Sequence, residues 1–523
     1  LRELVVHFQK TNMYDAVFDK FPLASLSHTQ VGSLVQEYGD IENIYSLTPV
    51  QAGILFQCLL APNSGIYYVQ TSIRLCGTLN TNRLEKAFRA VIERHTALRT
   101  SLAWEHLPHP VQIVHRAGRC LWRNIDWRDC TFEEQRSAYD ALLKCGRNKS
   151  AQFSANSLFA GTIVRVRDEE YILLVQAHHI LLDGWSSAIV LDEIFNLYVT
   201  PQKSLPPARP FREVIAWKSN QDNAAACKFW IELLHDLQLP TRFGQREFNR
   251  SELTQHGTYR HELSVELWHH ICAFARANGI TPNTMVQAAY ALLLRCSSGD
   301  ACLVFGVTES GRSLDFTDAE QMVGLLINTL PYRARIVAEA RIMPWLQELQ
   351  IASARLRENG GASLIEIRQA IDVPAGVPLF DSVLVFENYA TARPAPQPPL
   401  GVAITAISTD ERNHYPLTII VETGDNLSLS LSYWEEILDF VQIKRMAHQF
   451  EVVLESMTAE PNQMVSAILN LLESQQPSSG KAWPQDRQDD LQTLPVHEEF
   501  EKCAALAPES VALICGEESL TYY

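Results

Sequence analysis

Residues 171–177 read Tyr-Ile-Leu-Leu-Val-Gln-Ala and end directly on His178-His179-Ile180-Leu181-Leu182-Asp183-Gly184. An apolar run of that length has almost no polar face to give to water, so it is read as a buried strand. Beyond Gly184, the residues Val190, Ile194, Leu197 and Tyr198 return at helical spacing, which makes the junction a strand–loop–helix turn. A core strand therefore passes two imidazoles and a carboxylate to the start of a helix, and the chain is expected to be mixed α/β.

With 16 His and 23 Gly among 523 residues, the string H-H-x-x-x-D-G is expected by chance about 0.001 times. Its chemistry is coherent. An imidazole with a pKa near ~6.5 accepts a proton from an amine or thiol at neutral pH. A carboxylate in the same turn fixes the loop through an ion pair. Gly184, lacking Cβ, lets a backbone N–H approach a reacting carbonyl closely. No metal is expected, because adjacent side chains on an extended strand point to opposite faces and His178 and His179 do not easily reach one ion. The other pair, His269-His270, lies on a predicted helix with no Asp-Gly after it and is read as surface.

Composition removes several classes of function. The chain carries 44 Lys+Arg against 60 Asp+Glu, a net charge of −16, which repels phosphate backbones and makes nucleic acid a poor partner. No 18-residue apolar stretch is present, so no membrane span is expected. The 11 cysteines form no C-x-x-C pair and are odd in number, which favours free thiols in a reducing cytoplasm over a disulfide framework or a zinc site.

Along the chain, Ser27 and Gln30 form a capping box for a helix whose face is Val31, Leu34, Val35 and Tyr38. Leu84, Ala87, Phe88, Val91 and Ile92 mark an amphipathic helix. Prolines 201, 206, 207 and 210 punctuate a connection between two halves. In the second half a helix over 265–277 stops at Gly279, and Thr281-Pro282 opens another that is apolar nearly all round. Strands are expected at 302–307, 383–386 and 417–421. Pro477-Ser478-Ser479-Gly480 begins a polar linker. The chain begins with Leu1 and reads as an excised piece of a longer one.

The whole pattern resembles a condensation domain of a nonribosomal peptide synthetase. His178–Gly184, followed by Trp185-Ser186, is similar to that family's active-site motif. Leu47-Thr48-Pro49-Val50-Gln51-Ala52-Gly53-Ile54-Leu55-Phe56 and Arg94-His95-Thr96-Ala97-Leu98-Arg99-Thr100 resemble its first two motifs. Ser310-Gly311-Arg312, the segment from Val323 to Pro331, Asn413-His414-Tyr415-Pro416-Leu417 and Leu431-Ser432-Tyr433 resemble the later ones. These follow in order from about residue 45 to 470. Residues 495–523 resemble the truncated start of an adenylation domain, and the leader up to Ser27 resembles the end of an upstream epimerization or condensation-type domain. Gly360-Gly361-Ala362-Ser363 has the look of a carrier-domain phosphopantetheine site, but it lacks the apolar lead-in and acidic residue and is read as a turn.

The resemblance implies two chloramphenicol-acetyltransferase-like lobes in a V around a central tunnel, over 45–215 and 216–472, with 1–44 a leader, 473–494 a linker and 495–523 the adenylation start. It implies peptide bond formation between donor and acceptor thioesters on the phosphopantetheine arms of carrier domains, with no cofactor held by the domain itself. His179 is assigned to the acceptor amine, His178 to its support, Gly184 to an orienting N–H, and Asp183 to a structural ion pair with Arg312. Trp185, Ser186 and Asn328 are expected along the tunnel. The alternatives are an epimerization-type domain of the same fold and a CoA-dependent acyltransferase. Heterocyclization domains replace the His pair with Asp. The segment Ile180-Leu181-Leu182 and the leader resemble condensation domains that take a D-configured donor.

Overall fold

A computed structural model describes residues 20–475, except 63, 149–152, 154–157, 202–204, 222–223, 237–252, 254, 313–315, 317, 372, 374–376 and 388–400, together with 511–515 and 518–521. The chain divides into two compact units, residues 1–476 and 477–523. The strands of the larger unit, in chain order, are β1 (Ile41–Ser46), β2 (Tyr68–Gly77), β3 (Thr100–Ala103), β4 (Val111–His115), β5 (Leu121–Asp126), β6 (Phe159–Arg167), β7 (Glu170–His178), β8 (His256–Glu262), β9 (Cys302–Glu309), β10 (Asn328–Arg335), β11 (Ser382–Glu387), β12 (Val402–Asp410), β13 (Leu417–Thr423) and β14 (Leu427–Trp434).

They build two principal sheets, one for each half of the chain, as a two-lobed α/β fold requires. The first runs β12-β2-β7-β6-β5, and the second runs β10-β9-β11-β13-β14-β8. Both are mixed: β5 pairs parallel to β6, and β11 pairs parallel to β9 and β13. A third, small sheet is β1-β4-β3.

The helices form where capping and periodicity dictate. The capping box of Ser27 and Gln30 is made from both sides and opens the helix His28–Tyr38. The helix Thr81–Arg94 buries Leu84, Ala87, Phe88, Val91 and Ile92, the face read from its period. Phe88 stacks on Phe159 of β6 with ring centroids 4.8 Å apart, which docks this helix on the first sheet. In the second half, Thr281 caps Pro282–Ser298, and every residue from Thr284 to Leu294 is buried. Tyr290 of that helix meets Phe305 of β9 edge to face at 5.0 Å, so it forms the spine under the second sheet.

One strand departs from a simple split into halves. β12 belongs to the second half of the sequence, yet it pairs antiparallel with β2 and becomes the edge of the first sheet. Its entry is tight. Gly77 has φ of +128°, and a Cβ on it would lie 2.1 Å from the carbonyl oxygen of Gly401, so only glycine fits there. The crossing strand brings residues 410–414 beside the end of β7, where the sequence places His178 and His179.

In the smaller unit, Val511–Cys515 and Glu518–Thr521 pair as an antiparallel hairpin. Residues 1–19 of the 1–44 leader, the 473–494 linker beyond residue 475, and most of the 495–523 segment that resembles an adenylation start lie outside the described residues. Among the described residues no helix is long and apolar enough to cross a membrane.

Candidate active site

β7 is buried along nearly its whole length, and pairing with β2 sets Tyr68 opposite His178 at its end. The period-2 alternation of a strand then sends the two imidazoles apart. His178 turns into the core and is fully buried. Its ring meets Phe153 edge to face at 4.9 Å, its Nδ1 accepts the amide of Ile180 at 3.1 Å, and its Nε2 lies 3.7 Å from Cys58 Sγ. Accepting that amide leaves the proton on Nε2. Burial, with the charge of His179 beside it, pushes His178 down to about 3, so it is a neutral packing group at physiological pH. Burial likewise pushes Cys58 up to about 12, so its partner is a thiol.

His179 faces the other way, with 12% of its side chain exposed. Its amide donates to the carbonyl of Tyr67 at 2.7 Å, and its ring meets the Tyr67 ring edge-on with centroids 6.5 Å apart. Nε2 lies 3.4 Å from Oε1 of Glu411, while Nδ1 is buried without a hydrogen-bond partner.

The chain then turns, with the amide of Leu181 donating to the carbonyl of His178, and enters the helix Gly184–Val199. Asp183 is the N-cap: its Oδ1 accepts the amide of Ser186 at 2.8 Å. The same carboxylate takes Arg312 Nη1 at 2.8 Å, Arg312 Nη2 at 3.0 Å and the amide of Leu326 at 3.0 Å. A two-pronged guanidinium–carboxylate pair of this kind is strong and directional, and both side chains are buried. Gly311, at φ +64°, makes it possible, since a Cβ there would lie 2.0 Å from the carbonyl oxygen of Leu326. Gly184 is the first residue of the helix and is exposed.

The remaining residues singled out from the sequence sit close by. Ser186 is fully buried: its Oγ donates to the Gly324 carbonyl at 2.7 Å and accepts from the Gly324 amide and from Arg312. Trp185 donates from Nε1 to the Glu320 carbonyl at 2.8 Å, and the Arg312 guanidinium lies over its ring at 5.6 Å. Asn328 opens β10, and its Nδ2 donates to the carbonyls of Gly360 and Ala362. Ser363 caps the helix Leu364–Ala370 and is buried, so Gly360–Ser363 is a turn. His269 and His270 are exposed on their helix.

The motifs upstream act as braces. Thr48 and Gln51 form a capping box, and the Gln51 amide reaches the carbonyl of Ile180 inside the histidine turn at 2.9 Å. Arg94 and His95 both bond to Glu193 of the helix Gly184–Val199. Sequence reasoning missed Tyr67, Glu411, Arg412 and Glu387. Tyr67 stands at φ +61°, a left-handed conformation uncommon for a non-glycine residue and typical of functional sites. Its amide donates to the Arg412 carbonyl at 2.6 Å, and its hydroxyl lies 2.5 Å from His414 Nδ1. Glu387, at the end of β11, is pushed up to about 8 by burial and by the carboxylates of Glu411, Glu422 and Asp183.

Comparison with known proteins bears on the family and the fold. Residues 41–477 match the model of the condensation domain. The chain is 32% identical over its whole length to a linear gramicidin synthase of Brevibacillus parabrevis, of which the match covers 10%. It is 26% identical over 92% of its length to surfactin synthase subunit 3 of Bacillus subtilis (strain 168), of which the match covers 38%. The chain thus spans about a tenth of the first of these relatives. Among solved structures, the condensation domain of a monacolin K polyketide synthase superposes with a TM-score of 0.70, covering 82% of this chain and all of that one at 16% identity. The starter condensation domain of rhizomide synthetase, solved with C8-CoA, gives 0.70 at 15% identity, covering 84% of this chain and 99% of that one.

Proposed function

The chain belongs to the condensation-domain family of nonribosomal peptide synthetases, and from that premise we propose how its residues divide the work of making a peptide bond. Condensation domains join carrier-bound substrates: a donor acyl thioester and the α-amine of an acceptor thioester give an amide and release the donor's thiol. Holding both reactants at near-attack distance supplies the largest gain, up to ~7–11 kcal/mol, because a bimolecular step becomes effectively unimolecular. General-base help adds about 10²–10⁴ in rate.

His179 is the group that meets the acceptor nitrogen and takes its proton. The observation that carries this reading is the separation of the pair: His178 is neutral and buried, whereas His179 keeps one face partly open and Nε2 turned to the strand that crosses between the sheets. Asp183 and Arg312 act by holding the turn in register with the 322–326 segment. The Gly184 N–H orients the donor. Trp185, Ser186 and Asn328 shape the channel walls by fixing backbone rather than by touching substrate.

Finer assignments rest on sequence resemblance. The donor residue is D-configured, residues 495–523 begin an adenylation domain that supplies the acceptor, and an epimerization or condensation-type domain lies upstream. The nine cysteines whose side chains are described are free, and we place the enzyme in the cytoplasm. The reaction is tested by mixing the protein with a donor carrier bearing a peptidyl thioester and an acceptor carrier bearing an aminoacyl thioester, then following the acceptor carrier by mass spectrometry. Transfer of the donor mass to the acceptor arm is expected. Inversion of the donor residue without transfer would instead mark an epimerization-type domain.

A further inference from the structure

The residue that faces His179 Nε2 comes from the other half of the chain. Glu411 follows directly on β12, and its Oε1 lies 3.4 Å from Nε2, with 29% of its side chain exposed. The placement is built rather than incidental. Tyr67, held at φ +61°, accepts the His179 amide on its carbonyl and donates its own amide to the carbonyl of Arg412, the residue after Glu411. One strained residue thus ties the base and the carboxylate to a single frame.

Most of the charged groups around that carboxylate are engaged elsewhere. Asp410 pairs with Arg147, and Arg412 Nε lies 3.7 Å from Asp410, buried and without a hydrogen bond of its own. His414 is engaged by the Tyr67 hydroxyl. Of the carboxyls on the neighbouring strands, Glu387 on β11 is held protonated by its raised pKa of about 8, and Glu422 on β13 is paired with Arg260 at 2.8 Å. Among the described residues the one basic side chain within 4 Å of the Glu411 carboxylate is His179. The carboxylate beside the imidazole gives an incoming cation an anionic partner at the point of attack.

The acceptor amine is a cation when it arrives, since an α-amino group titrates near ~7.7–8.0. It must lose one proton before its lone pair attacks. A second leaves the nitrogen as the C–N bond forms and the C–S bond breaks, and it ends on the departing thiol. We propose that Glu411 is the counter-charge that receives the acceptor's α-ammonium beside His179, so that the site captures the abundant charged form and His179 removes its first proton to solvent. Glu411 is thereby a specificity residue for amine acceptors. This rests on the condensation reading above, and it assigns the ammonium a partner that His179 alone does not provide.

The test measures kcat/KM for an aminoacyl thioester acceptor, at fixed donor carrier, from pH 6 to 9 in wild type, Glu411→Gln and Glu411→Asp. A des-amino acyl thioester of the same side chain serves as an inhibitor probe. Losing a hydrogen bond to a charged group predicts a roughly ten- to hundredfold fall in Glu411→Gln at pH 6.5. The deficit narrows toward pH 9, where the acceptor enters as free amine. Glu411→Asp recovers part of the activity, and inhibition by the des-amino probe is unchanged throughout. A deficit constant with pH, weakened des-amino binding, or no deficit at all overturns the proposal and leaves condensation standing. Absence of product from wild type at every pH removes the condensation reading, and this inference with it.

Discussion

Arg312 and Asp183 are 129 residues apart in sequence and close a two-pronged ion pair at 2.8 and 3.0 Å with both side chains shielded from water. The same carboxylate caps its own helix and receives the amide of Leu326. Asp183 therefore joins the histidine turn to the second half of the chain. Replacing it with Ala leaves a buried guanidinium unpaired, a loss of about 3–5 kcal/mol. Chemical denaturation of Asp183→Ala is expected to show that fall in midpoint; an unchanged midpoint with lost activity would assign Asp183 to the chemistry instead.

Ser186 supports the same joint from one turn further on. Its hydroxyl exchanges hydrogen bonds with both the amide and the carbonyl of Gly324 and accepts from Arg312. Ser186→Ala strands those buried groups and costs about 1–3 kcal/mol. Combined with Asp183→Ala, its effect falls short of additive, because the two share Arg312; a double-mutant cycle on thermal or urea unfolding measures the difference, and strict additivity would contradict a shared joint.

Glu387 predicts a pH dependence of stability. Burial and nearby carboxylates raise it from its ordinary value of 4.5 to about 8. A raised folded-state value means that the protonated form suits the fold, so its contribution is whole below about pH 4.5 and drains away as pH climbs through 8. Glu387→Gln lacks that loss. Its melting temperature relative to wild type is expected to rise between pH 5 and pH 8.5 by differential scanning calorimetry. Parallel curves would show that Glu387 is already ionised in the fold.

Much of this was legible beforehand. The strand, turn and helix around His178–Gly184 followed from periodicity, as did the buried face of Thr81–Arg94 and the buried helix after Thr281. These signals are local. Two kinds of feature were not local. β12 has only one buried residue by its pattern, Val402, so no hydrophobic alternation announced that it crosses to the first sheet. Tyr67 and Glu411 act through tertiary placement, and neither residue type is unusual where it stands. The Glu-Arg-Asn-His run after a strand was the available clue, since charged residues gathered at a strand end often mark a site. The bracing motifs were visible as strings, but that Gln51 reaches the Ile180 carbonyl and that Arg94 and His95 hold Glu193 required the fold.

Donor stereochemistry supplies a fourth prediction. A donor carrier loaded with peptides ending in D or L residues is expected to react faster in the D form, read as initial rates of amide formation. Preference for the L form would contradict the reading of Ile180-Leu181-Leu182 and the leader.

The division of labour within the histidine pair, with the His179 imidazole serving the acceptor nitrogen while His178 only packs, underlies all of these expectations. It is put at risk by single-turnover transfer between pre-loaded donor and acceptor carriers, compared for wild type and His179→Ala with melting temperature recorded on the same samples. The predicted result is a rate reduced by about 10²–10⁴ with melting essentially unchanged, because His179 is partly exposed and its ring bonds to nothing in the core. Equal rates for the two proteins would contradict it.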